Sequence, residues 1–232
     1  ANRLKIISPL GNLNLDPKLL LSDELKPVYD IILISCKTYD LDQAIIDLRP
    51  TKGRGLIIPF LNGVTHMKKL DEEFGQDNIM GGVAHISSNV NKDGTIEHFS
   101  EFKKLTFGNR DLSGNSALKE FAEVCAKTKF DVVLSDDINL DLWKKWVFIS
   151  TVAGATTLFS SSLGEIVKSD FGKKIITDLF NESRSIAKLY KYDYEDSEAD
   201  VILKTITTSG SPVSYTHLRA HETDSYLVCR LL

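Results

Sequence analysis

Asp30-Ile31-Ile32-Leu33-Ile34-Ser35-Cys36-Lys37 and Gly55-Leu56-Ile57-Ile58-Pro59-Phe60-Leu61 contain short, continuous apolar runs, and their reading decides the fold. A strand with one wet face alternates apolar and polar residues, whereas a run apolar on both faces suits a parallel strand covered by helices on either side. Between the two runs, residues 39–48 place Leu41, Ala44, Ile45 and Leu48 on one helical face. The result is a strand, helix, strand unit with a right-handed crossover. Downstream, residues 78–86 are expected to form another strand, with 95–99 and 104–107 as an antiparallel addition at the sheet edge. Upstream, Gly11 between Leu10 and Asn12 reads as the turn of a hairpin. Residues 116–127 are amphipathic through Leu118, Phe121, Ala122 and Cys125, and 131–134 make one more strand. The pattern predicts a doubly wound, Rossmann-like α/β sheet domain.

After Asp136 the texture changes to helix alone. Residues 137–152 form a first helix, and Ser162-Leu163-Gly164-Glu165 has capping-box spacing for a second. Phe171, Ile175, Leu179, Ile186 and Leu189 keep a helical period for a third, so an all-helical C-terminal domain is expected from a boundary near Asp136. Residues 146–163 carry no charge and are long enough to raise the question of a membrane span. Ser150, Thr151, Thr156, Thr157 and Ser160, Ser161, Ser162 make that stretch too polar, and it reads as a buried helix with a small-residue connection. From Pro212 neither pattern continues. The residues 212–232 read as one frame of a translated transposase-type sequencing adapter, with the barcode at 224–226, so His217, His221 and Cys229 are set aside as metal ligands.

The 232 residues are 42% hydrophobic and 26% charged, enough for one large domain or two modest ones. A net charge of -4 gives no basic surplus to grip a phosphate backbone, which points to a small-molecule partner rather than nucleic acid. Three cysteines, Cys36, Cys125 and Cys229, with no CxxC spacing argue against a disulfide framework and against zinc, and a reducing cytoplasm suits them. No charged segment followed by an apolar one opens the chain, so no secretory signal is expected.

Three segments carry candidate chemistry. Ligands of open parallel sheets bind beyond the carboxyl ends of strands, where Lys37 and Asn62 fall. Lys37 is alternatively a solvated loop residue, and Asn62-Gly63 an ordinary turn. The third is Leu142-Trp143-Lys144-Lys145-Trp146-Val147-Phe148-Ile149, a helical run in which Lys145 shares a face with Leu142 and Ile149. Lys145 either lays its stem on apolar surface and reaches water or Asp141, or it is a proton donor whose pKa burial has lowered. Cys36 reads as a small hydrophobe and His85 as a polar residue near a strand end, neither with a catalytic role.

The motifs Asp30 to Lys37, Leu61-Asn62-Gly63-Val64, Gly81-Gly82-Val83-Ala84-His85 and Leu142-Trp143-Lys144-Lys145 resemble, in order and spacing, the ketopantoate reductases (2-dehydropantoate 2-reductases). The resemblance runs from about Leu4 to Tyr194. It implies NADPH-dependent reduction of a 2-oxo acid, 2-dehydropantoate to pantoate in pantothenate biosynthesis, in the cytoplasm. It further implies that Lys37 and Asn62 hold NADPH, that Asn62 and Lys145 face substrate, and that Lys145 is the catalytic general acid, with no metal. On this reading 1–136 is a partial NADP-binding domain, 137–211 the start of a helical substrate and dimerisation domain, and a homodimer is open to it. The family's G-x-G-x-x-G loop has no counterpart here, and its C-terminal serine and acidic residue are also lacking, as in a gene fragment. Members of the family place asparagines one and two helical turns after the lysine, where this chain has Ile149 and Ala153. Reductase chemistry carries over; those substrate contacts do not, which opens a second reading, a different 2-oxo or 3-hydroxy acid. A third is a non-catalytic nucleotide-sensing or interaction module.

Overall fold

The structure, a computed structural model, describes residues 3–169 and 171–209; the stretch read as adapter lies outside the described residues. The chain divides into two compact units between Leu142 and Trp143.

In the first unit, β1 (Leu4–Ile7) turns back through Gly11, whose N–H donates to the Ser8 carbonyl, into β2 (Leu13–Leu15) as the expected hairpin. Strand β3 (Ile31–Ile34) leads through a short 3-10 turn into α1 (Leu41–Leu48), and β4 (Leu56–Pro59) returns parallel to β3. The ladder pairs Ile31 with Leu56 and Ile34 with Pro59. Then come α2 (His66–Phe74), β5 (Gly81–Val90), β6 (Ile96–Gly108), α3 (Ser116–Cys125) and β7 (Asp131–Leu134). Beyond its pairing with β3, β4 meets the approach to β5 through a parallel bridge between Ile57 and Ile79, and the Met80 N–H donates to the Ile57 carbonyl at 2.9 Å.

Helices cover both faces, as doubly wound packing requires. Ile57 points into a cluster with Leu41, Ile45, Met67 and Leu70 from α1 and α2, while its neighbour Ile58 packs with Phe107 and Leu118 from β6 and α3. Strand β3 departs from the sequence expectation. Ile34 is buried among α1 residues, but Leu33 on the opposite face is 48% exposed. The two residues expected to be equally covered therefore differ, because α3 packs beneath β4 and reaches only the Ile31 end of β3.

The segments expected at 95–99 and 104–107 are one continuous strand, not a pair at the edge. Strand β6 lies inside the sheet, antiparallel to β5 along most of its length. Its first two residues, Ile96 and Glu97, pair with β1, and Lys104 to Phe107 pair with β7, both in parallel. The strand-rich patterning is right there and the topology wrong, since alternation specifies a face and not a neighbour.

Helix α4 (Ile138–Phe159) is longer than expected, continuing past Val152 through Ala153-Gly154-Ala155 to Phe159. Its apolar residues are spread around it rather than gathered in one stripe, the mark of a helix covered on several sides. In the second unit Ser162 caps α5 (Leu163–Ile166), its hydroxyl accepting from the Glu165 N–H at 3.4 Å, while the Glu165 carboxylate pairs with Lys168. Helices α6 (Gly172–Leu189) and α7 (Asp196–Ile206) follow. Arg184 pins their connection through Asp193 at 3.3 Å and Asp196 at 2.7 Å. Trp143 stacks on Tyr190 and Tyr192 at 5.0 and 5.6 Å between ring centres. Among the described residues no helix is long and apolar enough to cross a membrane.

Candidate functional site

Lys37 and Asn62 each stand three residues beyond the last rung of the β3–β4 ladder, Ile34 with Pro59, so they emerge at the same carboxyl end. The rung is extended by the Phe60 N–H, which donates to the Ile34 carbonyl at 2.8 Å. Both side chains are exposed. Lys37 precedes the 3-10 turn that opens α1, and its carbonyl accepts from the Asp40 N–H at 3.0 Å. The loop bearing Asn62 is anchored on either side by Leu61, which is buried, and Val64, which packs on the same core. Gly63 between them holds φ of +92°, with nothing within 4 Å of where a Cβ would stand. The loop thus presents bare backbone to open space at the strand ends.

Beneath it, Gly82 of β5 lies flat against β4. A Cβ there would fall 2.8 Å from Ile58 Cγ2 and from the Pro59 carbonyl oxygen. This close approach explains Gly82 and draws the start of β5 onto the strand that leads to Asn62, while a Cβ on Gly81 would fall 2.5 Å from Ile138 Cγ1 of α4. His85 follows on β5 opposite Lys104.

The sequence reading missed His66, the first residue of α2, four positions after Asn62. It is 3% exposed, its Nε2 has no hydrogen-bond partner among the described residues, and burial, reinforced by the Arg110 guanidinium, lowers its pKa to about 4. Arg110 itself bridges elements: it pairs with Asp71 of α2 at 2.6 Å and donates to the Ile79 carbonyl at 3.0 Å. Its own carbonyl accepts from Asn139 at 2.8 Å. No sequence signal announces such a cluster, because its members lie 31 and 39 residues apart.

Lys145 belongs to the second unit, apart in the chain from the Lys37 and Asn62 pair. It is half-buried on α4, and desolvation lowers its pKa from 10.5 to about 8. Its ammonium lies 5.6 Å from the centre of the Phe148 ring. Its neighbour has the opposite surroundings: Lys144 pairs with Glu198 of α7 at 2.7 Å and lies over the Tyr194 ring. One residue of helix phase separates an ion-paired lysine from a desolvated one. Cys36 packs as a partly buried apolar group, and burial with the Asp40 charge pushes its thiol up, away from thiolate reactivity. Among the described residues no cluster of metal-ligating side chains occurs.

The chain matches the family described as "Ketopantoate reductase PanE/ApbA" over residues 1–111 and its C-terminal counterpart over 137–221. An uncharacterized oxidoreductase, YkpB of Bacillus subtilis, is 30% identical over 94% of this chain and 72% of its own length. The crystal structure of 2-dehydropantoate 2-reductase from Geobacter metallireducens superposes with a TM-score of 0.83 at 21% identity, covering 95% of this chain and 74% of that one. A ternary structure of D-mandelate dehydrogenase with NADH and anilino(oxo)acetate gives a TM-score of 0.75 at 17% identity, over 92% and 68%. The chain spans between 54% and 60% of the curated 2-dehydropantoate 2-reductases it matches. The class is that of oxidoreductases with a Rossmann-like sheet unit followed by a helical one. Within it, the chain belongs to the ketopantoate reductase family.

Proposed function

We propose that this protein reduces a 2-oxo acid to the 2-hydroxy acid with NADPH, Lys145 acting as general acid. The observation that carries the reading is the desolvated Lys145, a lysine whose pKa of about 8 leaves it mostly protonated at neutral pH yet ready to release the proton. When bound, the cofactor supplies a hydride to the keto carbon. Lys145 holds its proton on Nζ, stabilises the negative charge growing on the keto oxygen, and transfers the proton to it, leaving a neutral amine that solvent reprotonates. Lys37 is the residue to grip the cofactor, and Asn62 to orient it and the substrate. The open backbone at Gly63 suits close approach of a flat ring, and the exposed Lys37 suits an anionic or polar ligand.

The parent substrate of the family is 2-dehydropantoate. Ile149 and Ala153, one and two turns after Lys145, favour a second reading in which the 2-oxo acid is a different one. On this reading residues 1–136 are part of an NADP-binding domain and 137–211 the start of a helical substrate and dimerisation domain, in a cytoplasmic enzyme to which a homodimer is open. In the complete enzyme, Lys145→Ala should cut kcat by about 10²- to 10⁴-fold with little change in NADPH affinity. Lys37→Ala should instead weaken NADPH binding. If Lys145→Ala leaves kcat within a few fold, the general-acid assignment is wrong.

A further inference from the structure

Lys145 shares its side of α4 with Phe148, Ile149 and Ala153. At about 100° per residue, Ile149 stands about 40° and Ala153 about 80° to one side of it, and Phe148 about 60° to the other. All four are half-buried. The hydroxyls nearest in the helix are committed elsewhere: Thr151 Oγ1 donates to the Val147 carbonyl at 2.8 Å and Thr156 Oγ1 to the Val152 carbonyl at 2.7 Å. Both threonines are fully buried. Ser150 lies about 140° around the helix from Lys145. Asp141, one turn before Lys145 and about 40° from it, accepts from the Ser135 hydroxyl at 2.6 Å, and the strip of α4 that runs on from the ammonium to Ile149 and Ala153 is hydrocarbon.

We infer that the substrate is a 2-oxo acid with a branched aliphatic or aromatic side chain that carries no hydroxyl, the apolar group lying on Ile149 and Ala153 while the keto oxygen meets Lys145. The inference rests on the reductase reading above and narrows it. A hydroxyl placed against Ile149 loses its water and gains no partner, whereas a methyl or phenyl group gains burial. The discrimination is of the modest kind that apolar pockets achieve.

A matched pair of substrates isolates the point: 2-dehydropantoate, and 3,3-dimethyl-2-oxobutanoate, which has the same skeleton without the terminal hydroxyl. Phenylglyoxylate completes the panel. With the complete enzyme and NADPH, kcat/KM should favour the hydroxyl-free member of the pair by about 10- to 100-fold. Ile149→Asn, which offers an amide at that position, should lower this ratio by about tenfold or more while NADPH affinity stays constant. Ile149→Thr, a gentler change should the asparagine impair folding, should move it the same way. A ratio below about tenfold, or one that neither variant moves, overturns the inference while the reductase reading stands. No reduction of any of the three acids overturns that reading and the inference with it.

Discussion

Replacing Lys145 with methionine should make the protein more stable and the enzyme inactive. The magnitude follows from burial. Lowering the lysine pKa from 10.5 to about 8 means that holding its charge in the fold costs ~3 kcal/mol, at 1.36 kcal/mol per pH unit. Part of the side chain remains in contact with water and its head lies over the Phe148 ring, so the recoverable amount is smaller, ~1–3 kcal/mol. Methionine keeps the unbranched stem and removes the charge. For a chain of this size the gain corresponds to a rise in Tm of about 2–4 °C per kcal/mol.

The pH dependence makes the test specific. The folded pKa lies below the unfolded one, so the native state binds fewer protons between about 8 and 10.5, and wild-type stability rises with pH across that window. Above it the lysine is neutral in both states and the penalty vanishes. The advantage of Lys145→Met, measured by urea denaturation at a series of pH values, should therefore be full below about pH 8 and shrink as pH approaches 10.5. A variant less stable than wild type at pH 7, or an advantage that does not change with pH, refutes the claim that burial strains this lysine.

His66 titrates with the same logic at lower pH: its folded pKa of about 4 lies below the usual 6.5, so the stability it confers is complete above 6.5 and is lost as pH falls through 4. His66→Leu should remove ~2–3 kcal/mol of that acid sensitivity when denaturation midpoints are compared at pH 7 and pH 4. Gly82→Ala should cost about 1–3 kcal/mol by calorimetry, because its Cβ has no room against Ile58 and the Pro59 carbonyl. Tyr194→Phe should be neutral or stabilising by up to ~1 kcal/mol, since the buried hydroxyl has no hydrogen-bond partner among the described residues; a loss above that would reveal a hidden partner. Lys144→Ala should leave kcat near wild type and lower stability by ~0.5–1 kcal/mol through loss of the Glu198 pair, read from Tm and steady-state rates together.

Much of this architecture was legible because it is local. Continuous apolar runs specified β3 and β4, period identified α1 and α3, and the change of texture at residue 136 marked the onset of helix. Lys37 and Asn62 could be placed together at the strand ends because a parallel ladder with a single crossover leaves few alternatives. Helix α2 escaped the reading: Thr65, which precedes it, makes no side-chain cap, and its polar face of Lys68, Lys69, Glu72 and Glu73 outweighs its buried His66, Met67, Leu70 and Phe74. The interior place of β6 escaped because its partners β1 and β7 are distant in sequence, and pairing across such distances leaves no periodic trace. His66 and Arg110 were hidden for the same reason.

The two adjacent lysines of α4 owe their different surroundings to helix phase and to the packing of α7. Helical spacing alone distinguishes Lys144 from Lys145, since they differ by about 100° around α4. It put Lys145 on a face with Leu142 and Ile149 but left open whether that lysine reaches water or is desolvated, because α4 is apolar all round and offers no single stripe to orient it. The decision comes from α7, whose Glu198 and the nearby Tyr194 claim Lys144 and leave Lys145 on the side shared with Phe148. If α7 thus assigns Lys144 its partner, Glu198→Gln should weaken the Lys144 contact and leave the Lys145 pKa near 8, read as the alkaline limb of the kcat profile in the complete enzyme. A limb displaced by a full pH unit would mean that the two lysines are electrostatically coupled and that α7 tunes the proton donor as well as its neighbour.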